Sequence, residues 1–145
     1  MTTGTAGTGA RDVMMPVKQV LAYTLNYSTT GASSGVAIGI VPAGAVIQSW
    51  RVTVETTFNA GTTNPITIGT TATGTEIMAA ASITNYNTSS NTVGVYTGSP
   101  AAAGGWAKTT ADTTVYTAYI PTGTASSTGK AHIVIEYVSM TACNA

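Results

Sequence analysis

One histidine and five carboxylic acids are the side chains of this 145-residue chain that could carry acid–base chemistry. The carboxylate nearest to His132 in sequence is Glu136, on the same face of the same predicted strand. Because a strand rises about 3.3 Å per residue, the two side chains lie about 13 Å apart. A nucleophile and its base need contact at roughly 2.6–3.2 Å. We therefore expect His132 to be a surface or edge histidine, although a carboxylate on a neighbouring strand is an alternative partner.

The acidic residues are scattered along the chain, and no two share a short acidic motif. They are Asp12, Glu55, Glu76, Asp112 and Glu136. Calcium usually takes several oxygen ligands from one loop, and zinc takes clusters of Cys and His, neither of which this chain offers. The sequence thus predicts no catalytic, cofactor-binding or metal-binding residues, no cofactor and no enzymatic activity. A hydrolase with cross-strand carboxylates, Glu55 and Asp112, is the alternative.

Cys143, near the C-terminus, is the single cysteine of the sequence. One thiol cannot form a disulfide within the chain, so stability must come from packing. We expect it to be a spectator thiol near a frayed end, with a bridge between chains as the alternative.

Charge is scarce. Only 7% of residues are charged, against roughly 25% in an ordinary soluble domain. Five basic residues balance five acidic ones, so the formal net charge is zero and nothing attracts the chain to nucleic acid or an anionic membrane. No stretch approaches the roughly 18 apolar residues of a membrane-spanning helix. Low net charge also weakens the repulsion between copies, which favours a structural part of an assembly.

Two segments differ in character. Residues 1–15 are dense in Gly and Thr and lack periodicity, so they are predicted to form a flexible N-terminal arm. Residues 16–145 fit a single domain of predominantly β pattern. About eight short segments alternate between apolar and polar residues or carry β-branched runs, and turn residues separate them. This spacing predicts an all-β fold, an eight-stranded antiparallel β-sandwich of jelly-roll type.

Four local predictions matter later. The segment Val36–Val41 is apolar at every position but glycine and is expected to be buried on both faces. In the next strand Val46, Trp50, Val52 and Val54 face the core, with Gln48 as the exception and Ile47 at the edge. The segment Ile77–Ala81 is ambiguous between a strand and a short helical turn. A turn is expected at Pro42–Ala45, because proline presets φ and glycine accepts a positive φ.

The two tryptophans receive different assignments. Trp50 alternates with core valines and is expected to be buried. Trp106 follows a Gly-rich loop and is the best candidate for an interface anchor, because Trp is enriched at binding hot spots. Simple packing over a sheet edge is its alternative role.

Two stretches carry a family resemblance. Residues 38–71 read IGIVPAGAVIQSWRVTVETTFNAGTTNPITIGTT, and residues 111–138 read ADTTVYTAYIPTGTASSTGKAHIVIEYV. They resemble small structural proteins of tailed bacteriophages that share a "PAGAVI" turn, alternating valines, a "GT" turn and a last "IVIEY" strand. Residues 70–103 match no pattern of that family.

The resemblance implies a capsid decoration, or cement, protein on the virion exterior, made in the host bacterial cytoplasm. Its implied partners are the major capsid protein and further copies of itself, as a homodimer or homotrimer. No catalytic residues come with this family. The alternative is a glycan- or host-binding module of a phage head or tail fibre, in which exposed tyrosines of residues 85–96 would stack on sugars.

Overall fold

The computed structural model describes residues 18–100 and 109–139, and these form two antiparallel β-sheets. The strands are β1 Lys18–Asn26, β2 Val36–Val41, β3 Ala45–Thr56, β4 Ile66–Gly69, β5 Gly94–Gly98, β6 Thr113–Tyr119 and β7 Lys130–Ser139, with short 3₁₀ turns at Ala32–Ser34 and Ala80–Ser82. The predicted arm, Trp106 and Cys143 lie outside these residues. No helix in the described ranges is long and apolar enough to span a membrane.

The strands alternate between the two sheets along the chain. The four-stranded sheet has the order β1-β7-β3-β5, and the three-stranded sheet has the order β2-β6-β4. Every step from one strand to the next therefore crosses from one sheet to the other. All pairings are antiparallel. The all-β, two-sheet prediction is confirmed.

The core lies between the two sheets, because alternate residues of each strand point inward. The four-stranded sheet contributes Leu25, Val52, Val54, Ile133 and Ile135, and the three-stranded sheet contributes Ile66, Ile68, Val115 and Tyr119. The rings of Phe58 and Tyr119 pack at a centroid distance of 4.5 Å and a tilt of 52°. Trp50 is 6% exposed, as expected, and its indole N–H donates to the Ser99 carbonyl at 2.9 Å.

The described residues contain seven strands, one fewer than the eight predicted. The ambiguous Ile77–Ala81 segment contributes an isolated bridge, in which Met78 pairs with Ile68 at the edge of β4. Met78 N–H donates to the Ile68 carbonyl at 2.9 Å, and Ile68 N–H donates to the Met78 carbonyl at 3.1 Å. The chain then enters the Ala80–Ser82 turn. Pairing stops there because a 3₁₀ turn no longer presents its backbone groups along the strand edge.

The predicted alternation of β3 is wrong at its start. The register shifts between Ile47 and Ser49, so Gln48 is the extra residue of a β-bulge. An extra residue reverses which side chains face inward. Ile47 is consequently in the core, and Val46 is only half-buried.

The expectation that β2 is buried on both faces is also wrong. Ile40 is 56% exposed, and Ala37 is exposed as well. The reason is that, among the described strands, β2 is the outer one of the smaller sheet and pairs on one side only, with β6. The turn before β3 follows the prediction. Ala45 N–H donates to the Pro42 carbonyl at 3.1 Å, and Gly44 has a φ of 83°.

Candidate interaction surface

The solvent-facing side of the four-stranded sheet gathers most of the charged side chains in the described residues. We call it the outer face. Strand register and exposure place there Lys18, Val20, Ala22 and Thr24 of β1, Lys130, His132, Val134 and Glu136 of β7, Ser49, Arg51, Thr53 and Glu55 of β3, and Val95 and Thr97 of β5. Two small polar clusters lie at its ends, with Ala22, Val134 and Thr97 between them.

The first cluster is centred on His132. Its Nε2 lies 2.7 Å from Glu55 Oε2, and its Nδ1 lies 3.1 Å from the Thr24 hydroxyl oxygen. The Lys130 ammonium reaches the same Glu55 oxygen at 2.9 Å. A second register shift, between Val54 and Thr56, explains these contacts. Glu55 is the extra residue of that bulge, and the bulge directs its carboxylate towards both β7 side chains.

The second cluster is centred on Glu136. Its carboxylate accepts a hydrogen bond from the Ser49 hydroxyl at 2.7 Å and forms an ion pair with the Lys18 ammonium at 2.9 Å. Three strands, β1, β7 and β3, therefore meet through one carboxylate. Hydrogen bonding by Lys18 and Ser49 lowers the pKa of Glu136 below its ordinary value. Hydrogen bonds from His132 and Lys130 likewise lower the pKa of Glu55.

The His132 cluster has the order hydroxyl, imidazole, carboxylate, which in a closed site could activate the hydroxyl. Here the His132 and Glu55 side chains are 42% and 50% exposed, and Thr24 is exposed. Activation of a hydroxyl depends on a preorganised site that excludes water, and groups this exposed remain hydrated. The cluster therefore joins strands across the sheet surface. The sequence analysis expected no partner for His132 on its own strand and left a carboxylate on a neighbouring strand as the alternative. In the structure that partner is Glu55.

The remaining acids do not converge. Asp112 accepts the Ala43 N–H at 2.9 Å, beside the turn that begins β3. Glu55 lies near the other end of β3, which places it about 30 Å away along the strand. The structure thus does not bring Glu55 and Asp112 together. Glu76 is tied to its own turn by bonds from Thr70 N–H and the Thr71 hydroxyl, both at 3.0 Å. Among the described residues no three His, Cys, Asp or Glu could hold a metal ion.

Apolar side chains are exposed at the outer strands of both sheets. Val20 of β1 is 57% exposed, Val95 of β5 is 60% exposed, and Ile40 of β2 is also exposed. On the side of the sandwich where β1 lies over β2, Leu21, Tyr23 and Ile38 are only half-buried. Sequence alternation found these residues but could not show their exposure, because exposure depends on which strands are outermost.

Of the two tyrosines in residues 85–96, one has its hydroxyl engaged with its own chain. Tyr96 is half-buried against the core, and its hydroxyl donates to the Thr92 carbonyl at 2.8 Å. The Tyr86 side chain is half-buried too, and the backbone carbonyl of this residue accepts the Asn64 N–H at 2.6 Å. Trp106, the predicted interface anchor, lies outside the described residues.

Comparison with known proteins gives structural similarity only. No protein-family model matches the chain, and no curated protein matches it in sequence. Among solved structures it is similar to a chain of the cyanophage Pam1 capsid asymmetric unit, with a TM-score of 0.56, 16% identity and 86% of each chain covered. A chain of the Ralstonia phage GP4 capsid gives a TM-score of 0.47 at 17% identity, over 87% of this chain and 85% of that one. At such identities the likeness concerns the fold.

Proposed function

We propose that this chain is a non-enzymatic structural protein of a phage virion that decorates the capsid and bridges coat-protein subunits. The observation that carries the proposal is the fold match over 86% of both chains to a protein of the Pam1 capsid. That match supports a virion structural role, and the sequence resemblance to phage decoration proteins supports the more specific role of decoration. Neither argument depends on the other, because one uses backbone geometry and the other uses short motifs.

The architecture supports a jelly-roll assignment for this proposal. A jelly roll has eight strands in two sheets. The described strands alternate between sheets at every step, and Met78 forms its bridge on the outer edge of β4. We infer that this bridge occupies the place of the eighth strand. It shields the β4 edge, which would otherwise offer unpaired backbone groups to another chain.

The surface chemistry also suits a protein that works by contact. Hydroxyl-bearing and apolar side chains make up just over half of the outer face, and its two carboxylates, Glu55 and Glu136, are already paired with Lys18, Lys130 or His132. Few unpaired charges would be buried when such a face contacts a coat subunit. This matters because unpaired charges are the most costly groups to desolvate. Many weak contacts on one shell then add through avidity. The proposed partners are the major capsid protein and further copies of this chain.

The first test is the copy number on particles. Purified virions should carry this protein in hundreds of copies, located on the head exterior by labelled cryo-electron microscopy. Particles depleted of it should lose their genome at a lower temperature, and adding the protein back should restore the original value. A handful of copies at the tail would instead support the host-binding alternative and contradict decoration.

The second test concerns residues 1–15, proposed to be an arm that contacts the coat protein or a neighbouring subunit. Deleting residues 2–12 should reduce capsid occupancy while leaving the thermal unfolding of the isolated protein unchanged. Occupancy equal to that of the intact chain would remove the arm from the proposal. The decoration role would still stand on the copy number.

A further inference from the structure

The open edge of β1 is the longest regular strand edge in the described structure. Strand β1 runs over nine residues and pairs, within the described ranges, with β7 alone and without a register shift. The other outer strands are less suitable templates. Strand β5 has five residues and is glycine at both ends, β2 carries a register shift, and the edge of β4 is covered by Met78. Long, regular, open edges are where a further strand adds.

The backbone groups at this edge can be assigned from the register. Tyr27 N–H donates to the Gly129 carbonyl at 3.0 Å. In an antiparallel pair the residues that face the partner strand alternate. The odd-numbered residues of β1 therefore direct N–H and C=O towards β7, and the even-numbered ones direct them outward.

The end of β1 confirms this assignment. Asn26 N–H donates to the Thr29 hydroxyl at 3.0 Å, and the Asn26 carbonyl accepts the Thr29 N–H at 3.0 Å. Both outward groups of Asn26 are thus used by the following turn. Lys18, Val20, Ala22 and Thr24 remain, and the last three, in the middle of the strand, present their N–H and C=O groups along the open edge.

We propose that a second copy of this chain pairs with this edge, β1 against β1 in antiparallel orientation, about a twofold axis at Ala22. This deepens the proposed function by naming the surface through which copies of the chain associate. Only the biological role of the dimer rests on the proposed function. In this register Ala22 faces Ala22, and Val20 faces Thr24 of the other copy. Each of these residues donates one backbone hydrogen bond and accepts one, and one sheet continues through both copies.

The side chains are compatible with that register. A twofold interface needs a self-complementary surface. On the inner side Leu21 lies opposite Tyr23 of the other copy, so two half-buried apolar side chains cover each other. The single charge on β1 is Lys18, which is already paired with Glu136 at 2.9 Å and would lie opposite Asn26. No like charges oppose one another, whereas such opposition destabilises strand pairs.

The decisive variant is Ala22→Lys, which places two ammonium groups against each other at the axis. Ala22 is exposed on the outer face, so the monomer should fold normally. Val95→Lys is the matched control, because it adds the same charge on the same face at the opposite edge strand, β5. By sedimentation at the highest soluble concentration, the unmodified chain and Val95→Lys should be dimers. Ala22→Lys should weaken dimerisation by roughly tenfold or more.

Two further measurements keep the proposal falsifiable. An equimolar mixture of Ala22→Lys and Ala22→Glu should recover a heterodimer, because the charges are then complementary. Ala22→Cys in a Cys143→Ser background should form a disulfide-linked dimer on mild oxidation, because hydrogen-bonded antiparallel pairs have Cα atoms about 5.5 Å apart, within disulfide range. Val95→Cys in that background should remain uncross-linked.

Several outcomes would overturn the inference. They are a monomeric or trimeric unmodified chain, an Ala22→Lys variant that dimerises normally, or amides of Val20, Ala22 and Thr24 that are protected from exchange in a monomer. The last result would mean that another part of the same chain covers the edge. All of these measurements use isolated protein, whereas decoration is tested by copy number on particles, so the two proposals can fail separately.

Discussion

At the residue scale, the polar groups of this protein act within the fold. Asn64 is the clearest case, since it is fully buried and is one of the few buried polar side chains within residues 18–100 and 109–139. Its Oδ1 accepts the Tyr119 hydroxyl at 2.6 Å and the Ala60 N–H at 2.8 Å. Its Nδ2 donates to the carbonyls of Ala60 and Thr88 at 3.2 and 3.0 Å. One amide thereby holds the loop after β3 against β6 and against residues 85–90.

We predict that Asn64→Ala lowers the free energy of unfolding by about 2–4 kcal/mol, because it leaves buried donors at Tyr119 and Ala60 without acceptors. Tyr119→Phe should cost less, because it removes one donor and Asn64 Oδ1 still accepts the Ala60 N–H. Asn87→Ala, at an exposed position, should change stability by less than about 0.5 kcal/mol. Urea unfolding measures all three. Equal stability of Asn64→Ala and the unmodified chain would contradict the assigned role.

The exposed carboxylate clusters predict a dependence of stability on acid. The pKa values of Glu55 and Glu136 are both lowered from 4.5 in the folded protein by hydrogen-bonding partners. A lowered carboxyl pKa stabilises the fold above the unfolded value, and this contribution is lost as pH falls through the lower folded value. The melting temperature should therefore fall below about pH 4.5.

A double variant, Glu55→Gln with Glu136→Gln, tests this origin. Its melting temperature should depend less steeply on pH in that acid window than that of the unmodified chain. The difference should be small and should shrink at high salt, because both pairs are exposed. Identical acid profiles for the two proteins would show that these clusters do not couple protonation to folding.

At the element scale, the turns set how the two sheets meet. Gly35 ends the Ala32–Ser34 turn with a φ of 91°, and a Cβ there would clash with the Ala72 carbonyl oxygen. Gly31, at the start of the same turn, has a φ of 78° but open space around the Cβ position. The two glycines therefore separate backbone strain from a steric clash within one three-residue element.

We expect Gly31→Ala to cost about 1 kcal/mol, the usual penalty for a left-handed alanine. Gly35→Ala should cost at least about 3 kcal/mol, because the Ala72 backbone must also move. Thermal unfolding of the two variants measures the difference. Equal losses of stability in the two variants would mean that the backbone around Ala72 moves without cost and does not constrain the start of β2.

The strands also show which features of the fold could be predicted from the sequence alone. Period-two alternation located β1, β3, β6 and β7, because side-chain direction in a strand is a local property, and short β-branched runs located β2, β4 and β5. The interpretation of β3 kept one register through Ile47 and Gln48, the two residues that break its alternation, and so missed the bulge that the break marks. Burial of β2 was overestimated, because the outermost position of a strand is decided by pairing with distant residues.

The candidate interaction surface was also predictable from the sequence only in part. Composition predicted few groups for chemistry, and the residue types of the outer face were readable in advance. The contact of His132 with Glu55 was not, because these residues are separated by 77 positions and meet only through a bulge whose register depends on β7. Equally, nothing local marked β1 as an open edge. That property follows from strand order alone.

At the scale of the whole molecule, the low charge predicts how the proposed capsid contact responds to salt. Contacts between oppositely charged surfaces weaken as salt screens them, whereas apolar and hydroxyl contacts do not. With only 7% charged residues and zero formal net charge, this chain has little to screen. Occupancy on particles should therefore change less than about twofold when sodium chloride is raised from low to high concentration.

Sodium sulfate at matched ionic strength supplies the contrasting condition. Sulfate is excluded from protein surfaces and strengthens the burial of apolar area. Occupancy should therefore rise in sulfate while it stays level in chloride, and the same pair of salts should act alike on the proposed β1–β1 dimer. A steep fall in occupancy with sodium chloride would instead identify a charged interface. The argument from composition would then be wrong, because five basic and five acidic residues would have to supply most of the binding.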